Sequence, residues 1–99
     1  VTSVEPVFDA VVHAPQRLQI CAMLSRGGEV EFAVLRDGLD VSDATLSKHL
    51  KTLTEAEYVV LRRVQRARGQ ARTWVSLTDA GSRALRGHFA FLQGLLAPE

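Results

Sequence analysis

At Tyr58 the spacing of apolar residues switches from helical to alternating, and no other feature restricts the fold of this chain as tightly. Upstream, in "SDATLSKHLKTL", Leu46, Leu50 and Leu53 fall within about 60° of one another at the ~100° per residue of an α-helix. Downstream, "YVVLRRV" and "RTWVSL" are rich in β-branched residues and alternate, with the polar, Gly-containing "QRARGQA" between them. A helix therefore runs straight into a two-stranded hairpin.

The other segments read as helices. A short one is expected over Glu5 to Val12, ended at "HAP". Pro15 suits the first turn of a second, where its missing N–H is harmless. That helix should reach about Arg26, with Leu18, Cys21, Ala22 and Leu24 inward, and stop at Gly27 and Gly28. "EVEFAVLRDGLDV" predicts a brief extended entry and a helix from Phe32 to Leu39, with Gly38 near its end. Ser42 is a good N-cap for the next helix, Val41 can staple onto Leu46, and the helix should run to about Glu57. Thr78 and Asp79 open a last helix reaching almost to Pro98. Without repeat, low-complexity tract or linker, residues 1–99 read as one mainly α domain with a small antiparallel β-hairpin. A short helix, a turn, a longer helix and a β-ribbon make a winged helix-turn-helix.

Composition narrows the class further. Ninety-nine residues with 46% apolar and 23% charged side chains suit one modest core and argue against disorder. No stretch approaches the roughly 18 apolar residues of a membrane span. "VTSVEPVFDAVVHAP" lacks a basic leader and does not read as a signal peptide. Cys21 is the single cysteine, in "LQICAML", which suits a small buried residue in a reducing cytoplasm. His13, His49 and His88 lack metal-ligand spacing, so neither metal nor cofactor is expected. No phosphate loop, paired carboxylate motif or nucleophile–base pattern points to an enzyme.

The net charge of +1 hides a division along the chain. Residues 1–41 hold three arginines against six acids, giving −3; residues 42–75 hold seven bases against three acids, giving +4; the remainder balances. Arg62, Arg63, Arg66, Arg68 and Arg72 lie within eleven residues with no acid among them. Like charges on neighbouring strands repel, so such a wing calls for an anion to compensate it.

On the helix opposite the leucine seam lie Ala44, Lys48, Lys51, Thr52 and Glu55, flanked by Thr45 and Ser47, while His49 falls beside the seam. A recognition helix presents such a face to the major groove of DNA, its N-terminal residues reaching base edges. Ala44 and Thr45 are small enough to meet a thymine methyl. Ser42 and Ser47 suit phosphate oxygens, Lys48 a guanine edge or a phosphate, and Lys51 the backbone. Arg66, Arg68 and Arg72 would follow the backbone or minor groove. Trp74, on the strand face opposite Val75, reads as a cover for arginine stems. Two other readings compete: an architectural protein binding DNA through charge alone, and a winged-helix module whose basic wing grips an acidic protein. Ala44, Thr45 and Ser47 favour sequence reading, since a charge-only binder could fill that face with lysine.

Three segments in order resemble the winged helix-turn-helix regulators of the MarR and ArsR type: "APQRLQICAML", "LDVSDATLSKHLKTLTEAEYVVLRR" and "RTWVSLTDAG". Together they cover residues 13 to 83. The resemblance implies a homodimer on a pseudo-palindromic operator, with recognition helices in successive major grooves, and transcriptional regulation, most often repression, in a bacterium or archaeon. Two departures stand out. Glu57 takes the place of the glycine that usually ends the recognition helix in a left-handed conformation. The metal-sensing members' cysteine motif is missing from "EFAVLRDG", so metal sensing does not carry over.

Dimerisation has support from the residues themselves. Leu85, Phe89, Leu92 and Leu96 form one stripe of the last helix, which Phe91 and Leu95 widen; Val7, Phe8, Val11 and Val12 form an apolar cluster near the start. A small domain cannot easily bury both, and helices over about 5–12 and 79–97 are expected to form the interface of a C2 dimer. An effector would fit between these helices and the DNA-binding core, but no residue pattern identifies one.

Overall fold

The computed structural model describes residues 4–96. Its elements are α1 (Ala10–His13), α2 (Pro15–Leu24), β1 (Val30–Glu31), α3 (Phe32–Leu39), α4 (Asp43–Glu55), β2 (Val59–Val64), β3 (Arg72–Leu77) and α5 (Asp79–Leu96). This is the expected mainly α fold with an antiparallel wing. Leu46, Leu50 and Leu53 of α4 are all buried, against Ile20, Cys21 and Leu24 of α2, Leu35 of α3, and Val59 and Val75 of the sheet. Each such leucine contributes about 2 kcal/mol by leaving water. Burial, reinforced by Asp9 nearby, pushes the Cys21 thiol up to about 11 and keeps it protonated.

Three expectations need correction. The hairpin does not stand alone as a sheet: β1 pairs with the free edge of β3, Val30 opposite Val75 and Glu31 opposite Trp74, giving the order β1-β3-β2. The extended entry before α3 thus finds its backbone partners in a strand more than forty residues away.

Nor is the first helix eight residues long. It is one turn, and the residues before it cross α5 as an extended arm. Val7 N–H donates to the Gly87 carbonyl at 3.0 Å, and Asp9 N–H to His88 Nδ1 at 2.9 Å. The missing side chain of Gly87 lets the arm lie close, since a Cβ there would sit 3.1 Å from the Glu5 carbonyl oxygen. Tertiary partners satisfy the N–H groups that a helix would have used. Asp9 then starts α1 as its N-cap, Oδ1 accepting from Val12 N–H.

The α2 helix ends at Leu24 rather than Arg26, and its buried residues are Ile20, Cys21 and Leu24. Leu18 packs at the margin of the core, whereas Ala22 is exposed. The helix is rotated so that Ala22 faces a shallow surface groove with Met23, Val30 and Val34.

The exit of α4 shows how Glu57 replaces glycine. Glu57 N–H donates to Thr54 and Tyr58 N–H to the Leu53 carbonyl, a Schellman closure, with Glu57 left-handed at φ 65°. A non-glycine residue there costs roughly 1 kcal/mol. Glu57→Gly is therefore expected to raise stability by about 0.5–1 kcal/mol. A urea midpoint that stays put or falls in that variant would show the position to be unstrained.

Thr78 begins α5: its Oγ1 accepts from Gly81 N–H at 2.9 Å and donates to the Glu57 carbonyl at 2.8 Å, while its own N–H reaches the Tyr58 carbonyl at 2.9 Å. One threonine ties the end of α4, the start of β2 and the first turn of α5 together.

The fold also brings two histidines together across 75 residues, His13 Nδ1 lying 3.0 Å from His88 Nε2. Because His88 Nδ1 accepts the Asp9 N–H, its proton sits on Nε2 and is donated to His13. Nε2 then has no lone pair for a metal ion. Among the described residues no group of three or more His, Cys, Asp or Glu side chains converges, and no helix is long and apolar enough to cross a membrane.

Candidate nucleic-acid interface

The leading edge of α4 is built by its cap. Ser42 Oγ accepts from Thr45 N–H at 3.1 Å and donates to Thr45 Oγ1 at 3.0 Å. Both hydroxyls keep bonding capacity, but their geometry is set by the helix start. Val41 packs against the core that holds Leu46. Ala44, Ser47, Lys48 and Lys51 are exposed, Thr45 and Thr52 half-buried. Spacings of three and four put Ala44, Ser47, Lys48 and Lys51 on one side of the helix, away from the leucine seam. His49 is half-buried and bonds Gln16 Oε1 of α2 at 2.8 Å, pinning α4 across the first turn of α2. Burial, then Arg17 and Lys48, lowers its pKa, so it donates as a neutral imidazole.

In the wing, β2 and β3 pair from Val59–Leu77 to Val64–Arg72, and Gly69 takes φ 82° at the tip. The arginines are not all uncompensated, as sequence proximity had suggested. Arg62 makes a bidentate pair with Glu29, at 2.8 and 2.7 Å, and Arg72 reaches Glu31 at 3.4 Å. Both acids come from the segment that becomes the third strand, so the compensation was invisible within the hairpin itself. The Arg62 hydrogen bond holds the Glu29 carboxyl below its ordinary range. Arg63, Arg66 and Arg68 have no ion-pair partner among the described residues. Trp74 stands opposite Arg62 in the register and is half-buried.

Helix α4 and the wing meet in a groove. Ser47 from α4, Arg63 and Arg66 from the wing, Arg72 from β3, and Phe32 and Arg36 from α3 all line it, with Asp43 at the rim. Of the residues expected to touch DNA, the structure brings Ser47, Arg66 and Arg72 into this one concavity. Ala44, Lys48 and Lys51 stand on the adjoining face of α4, and Arg68 lies beyond, in the wing tip. Arg36 and Asp43 were not among the expected contacts, and Arg63 was counted with the basic wing but assigned no contact of its own. Arg63 was within reach as one more wing arginine; Arg36 carried no signal, because it belongs to a helix with no basic pattern.

A solvent-facing helix followed by a basic ribbon, joined in one cationic groove, is an arrangement shared by many proteins that hold a duplex. The model of a family described as winged helix DNA-binding domain matches residues 16–96. The chain belongs to that family. Its fold is shared with a transcriptional regulator homologue protein from Pyrococcus horikoshii, at 24% identity and a TM-score of 0.80, covering 87% of this chain and 84% of that one. The YusO protein from Bacillus subtilis gives 17% identity and a TM-score of 0.70 over 84% of this chain, which spans 57% of that protein. A zinc-responsive MarR family member from Lactococcus lactis gives 22% identity and a TM-score of 0.66 over 97% of this chain and 62% of that one. No curated protein sequence matches the chain.

Away from the groove, this winged helix domain leaves a broad apolar surface. Val7 and Phe8 of the arm and Phe89, Leu95 and Leu96 of α5 are exposed, Leu96 at 88%. Leu92 is half-buried, and Phe91 packs edge-on against Phe8 with ring centroids 5.6 Å apart. Two members of the expected interface sit deeper: Val11 and Leu85 pack against the chain's own core. The proposed helix over 5–12 is replaced there by the arm, and residue 97 lies outside the described residues. None of the groove residues comes from α5 or the arm.

Proposed function

We propose that this winged helix protein is a sequence-specific, double-stranded-DNA-binding transcriptional regulator, working in the cytoplasm as a homodimeric repressor. The observation that carries the reading is the shared groove: Ser47 of α4 lines one concavity with Arg63, Arg66 and Arg72, and the exposed Ala44, Lys48 and Lys51 lie three or four residues from Ser47 or from each other on the same helix. Helix α4 enters the major groove with Ala44, Thr45, Ser47 and Lys48 toward the bases, while Ser42 and Lys51 meet phosphates. Arg66, Arg68 and Arg72, joined by Arg63, hold the flanking backbone. The apolar surface of the arm and α5 pairs two copies about a twofold axis, leaving both grooves open for half-sites about one helical turn apart. The naming of a structural relative as a transcriptional regulator homologue supports the same assignment.

Competition binding tests this. At physiological salt the protein should prefer a duplex selected from random sequence over bulk duplex by at least about 10³-fold. The double variant Arg66→Ala, Arg68→Ala should weaken binding to every duplex and flatten the dependence of log K on log salt by up to about 1.8, or 0.9 per phosphate contact. Equal affinity for all duplexes would mean an architectural protein instead. No duplex binding even at low salt would leave a module that grips an acidic protein partner.

A further inference from the structure

Two acids line the groove, and they differ: Glu31 is paired with Arg72 of the wing, whereas no wing arginine pairs with Asp43 among the described residues. Asp43, at the first helical position of α4, carries a largely exposed carboxylate, 69% accessible, on the rim shared with Ser47, Arg63 and Arg66. Its Oδ1 accepts from Arg36 Nη1 at 3.0 Å, and Arg36 Nε donates to Asp37 Oδ1 at 2.9 Å. The guanidinium is thus clamped between two carboxylates, which raise its pKa further, and it is not free to neutralise a phosphate. The three groups together carry one negative charge at the edge of a groove whose other charged lining is Arg63, Arg66 and the Arg72–Glu31 pair. Asp43 Oδ2 has no hydrogen-bond partner among the described residues.

An acid at a helix start gains a little from the helix dipole, about 0.3–1 kcal/mol. That gain needs no second residue on another helix to fix the carboxylate's direction. A phosphate contact is excluded by charge. What a fixed, acceptor-only group can use in the major groove is a base amino group, and cytosine N4 suits it best. Adenine N6 is flanked by the acceptor N7, which repels the second carboxylate oxygen. Guanine O6 and N7 and thymine O4 are acceptors that Asp43 would reject outright, which is discrimination by repulsion as much as by attraction.

We propose that Asp43 is a specificity-determining residue, accepting a hydrogen bond from the N4 amino group of one cytosine in each half-site, with Arg36 as its positioning residue. This rests on the DNA-reading function proposed above. The acid lowers affinity for duplexes in general and returns it at the matched base pair alone.

Selection of bound sequences from random duplexes tests it, using the full chain in three forms: unaltered, Asp43→Asn and Arg36→Ala. The unaltered protein should enrich a C·G pair at one fixed position per half-site and disfavour other pairs there about tenfold. Asn presents both an acceptor and a donor, so Asp43→Asn should move that position toward A·T while leaving the rest of the motif in place. Arg36→Ala should blur the position without redirecting it, the outcome that marks a positioning residue. Asp43→Ser, also favourable at a helix start, runs in parallel and should lose the preference; circular dichroism confirms that each variant is folded. A specific motif identical in the unaltered and Asp43 proteins overturns this proposal and leaves the regulator reading intact. No enriched motif from any form defeats the regulator reading, and the proposal with it.

Discussion

Gly81→Ala is expected to destabilise the domain by about 3 kcal/mol or more, a large share of the stability of a chain this size. A Cβ on Gly81 would sit 2.2 Å from the Tyr58 carbonyl oxygen and 2.9 Å from Leu77 Cδ1. The leucine tip can turn aside, but the backbone carbonyl cannot retreat cheaply. The Tyr58 carbonyl is held by Thr78 N–H, and Thr78 itself bridges the Glu57 carbonyl and Gly81 N–H. Relief would require the first turn of α5 to lift off the start of β2, undoing the threonine junction. Gly94, in the same helix, supplies the control. A Cβ there meets nothing within 4 Å, so Gly94→Ala should be neutral or stabilising by up to about 1 kcal/mol. Urea unfolding at one fixed protomer concentration measures both, since association shifts apparent stability. Equal midpoints for the two variants would show that the α5–β2 approach tolerates a side chain.

Acidification should produce the second large effect. His88 is fully buried, and burial first, then the neighbouring His13, lowers its pKa, with Asp9 opposing. The Asp9 N–H pointing at Nδ1 and the His13 nitrogen facing Nε2 leave no acceptor for a second ring proton unless the arm moves. Phe8 lies against both rings, with centroids 4.9 Å from each. Asp9 is meanwhile occupied by Val12 N–H and by the Tyr58 hydroxyl, whose pKa that bond, with burial, raises to about 12.

A folded-state pKa below the unfolded value means that the unfolded chain takes up the proton first. The contribution of neutral His88 is therefore complete above about pH 7 and declines as pH falls below the unfolded value near 6.5. The loss is about 1.4 kcal/mol for each pH unit until the folded-state value is reached. His49 shifts in the same direction and adds to the slope, while Glu29 contributes only at more acidic pH. Unfolding free energies at pH 7.5, 6.5 and 5.5 should fall accordingly. His88→Leu should begin lower, because Asp9 N–H loses its acceptor, and should depend less on pH. If His88→Leu retains the full acid slope, the histidine pair is not its source.

How much of this was readable beforehand depends on the distance over which each interaction acts. The seam of Leu46, Leu50 and Leu53, the Ser42 cap, the Val59–Leu77 hairpin and the Thr78 start of α5 were all legible, because helical period, cap chemistry and strand alternation operate within a few residues. The left-handed Glu57 was located only through the resemblance, which puts a glycine at that place, since the periodicity alone carried the helix on to Glu57. The long-range meetings were not legible. Val30 and Glu31 could be read as extended but not as a third strand; Glu29 and Glu31 could not be assigned to Arg62 and Arg72. Likewise nothing near Arg36 announced Asp43, and His13 gave no hint of His88. Position along a chain says how residues alternate within an element. Which faces then press together is settled by packing volumes and by the need of every buried polar group for a partner, and those conditions exist only once the elements have closed on one another.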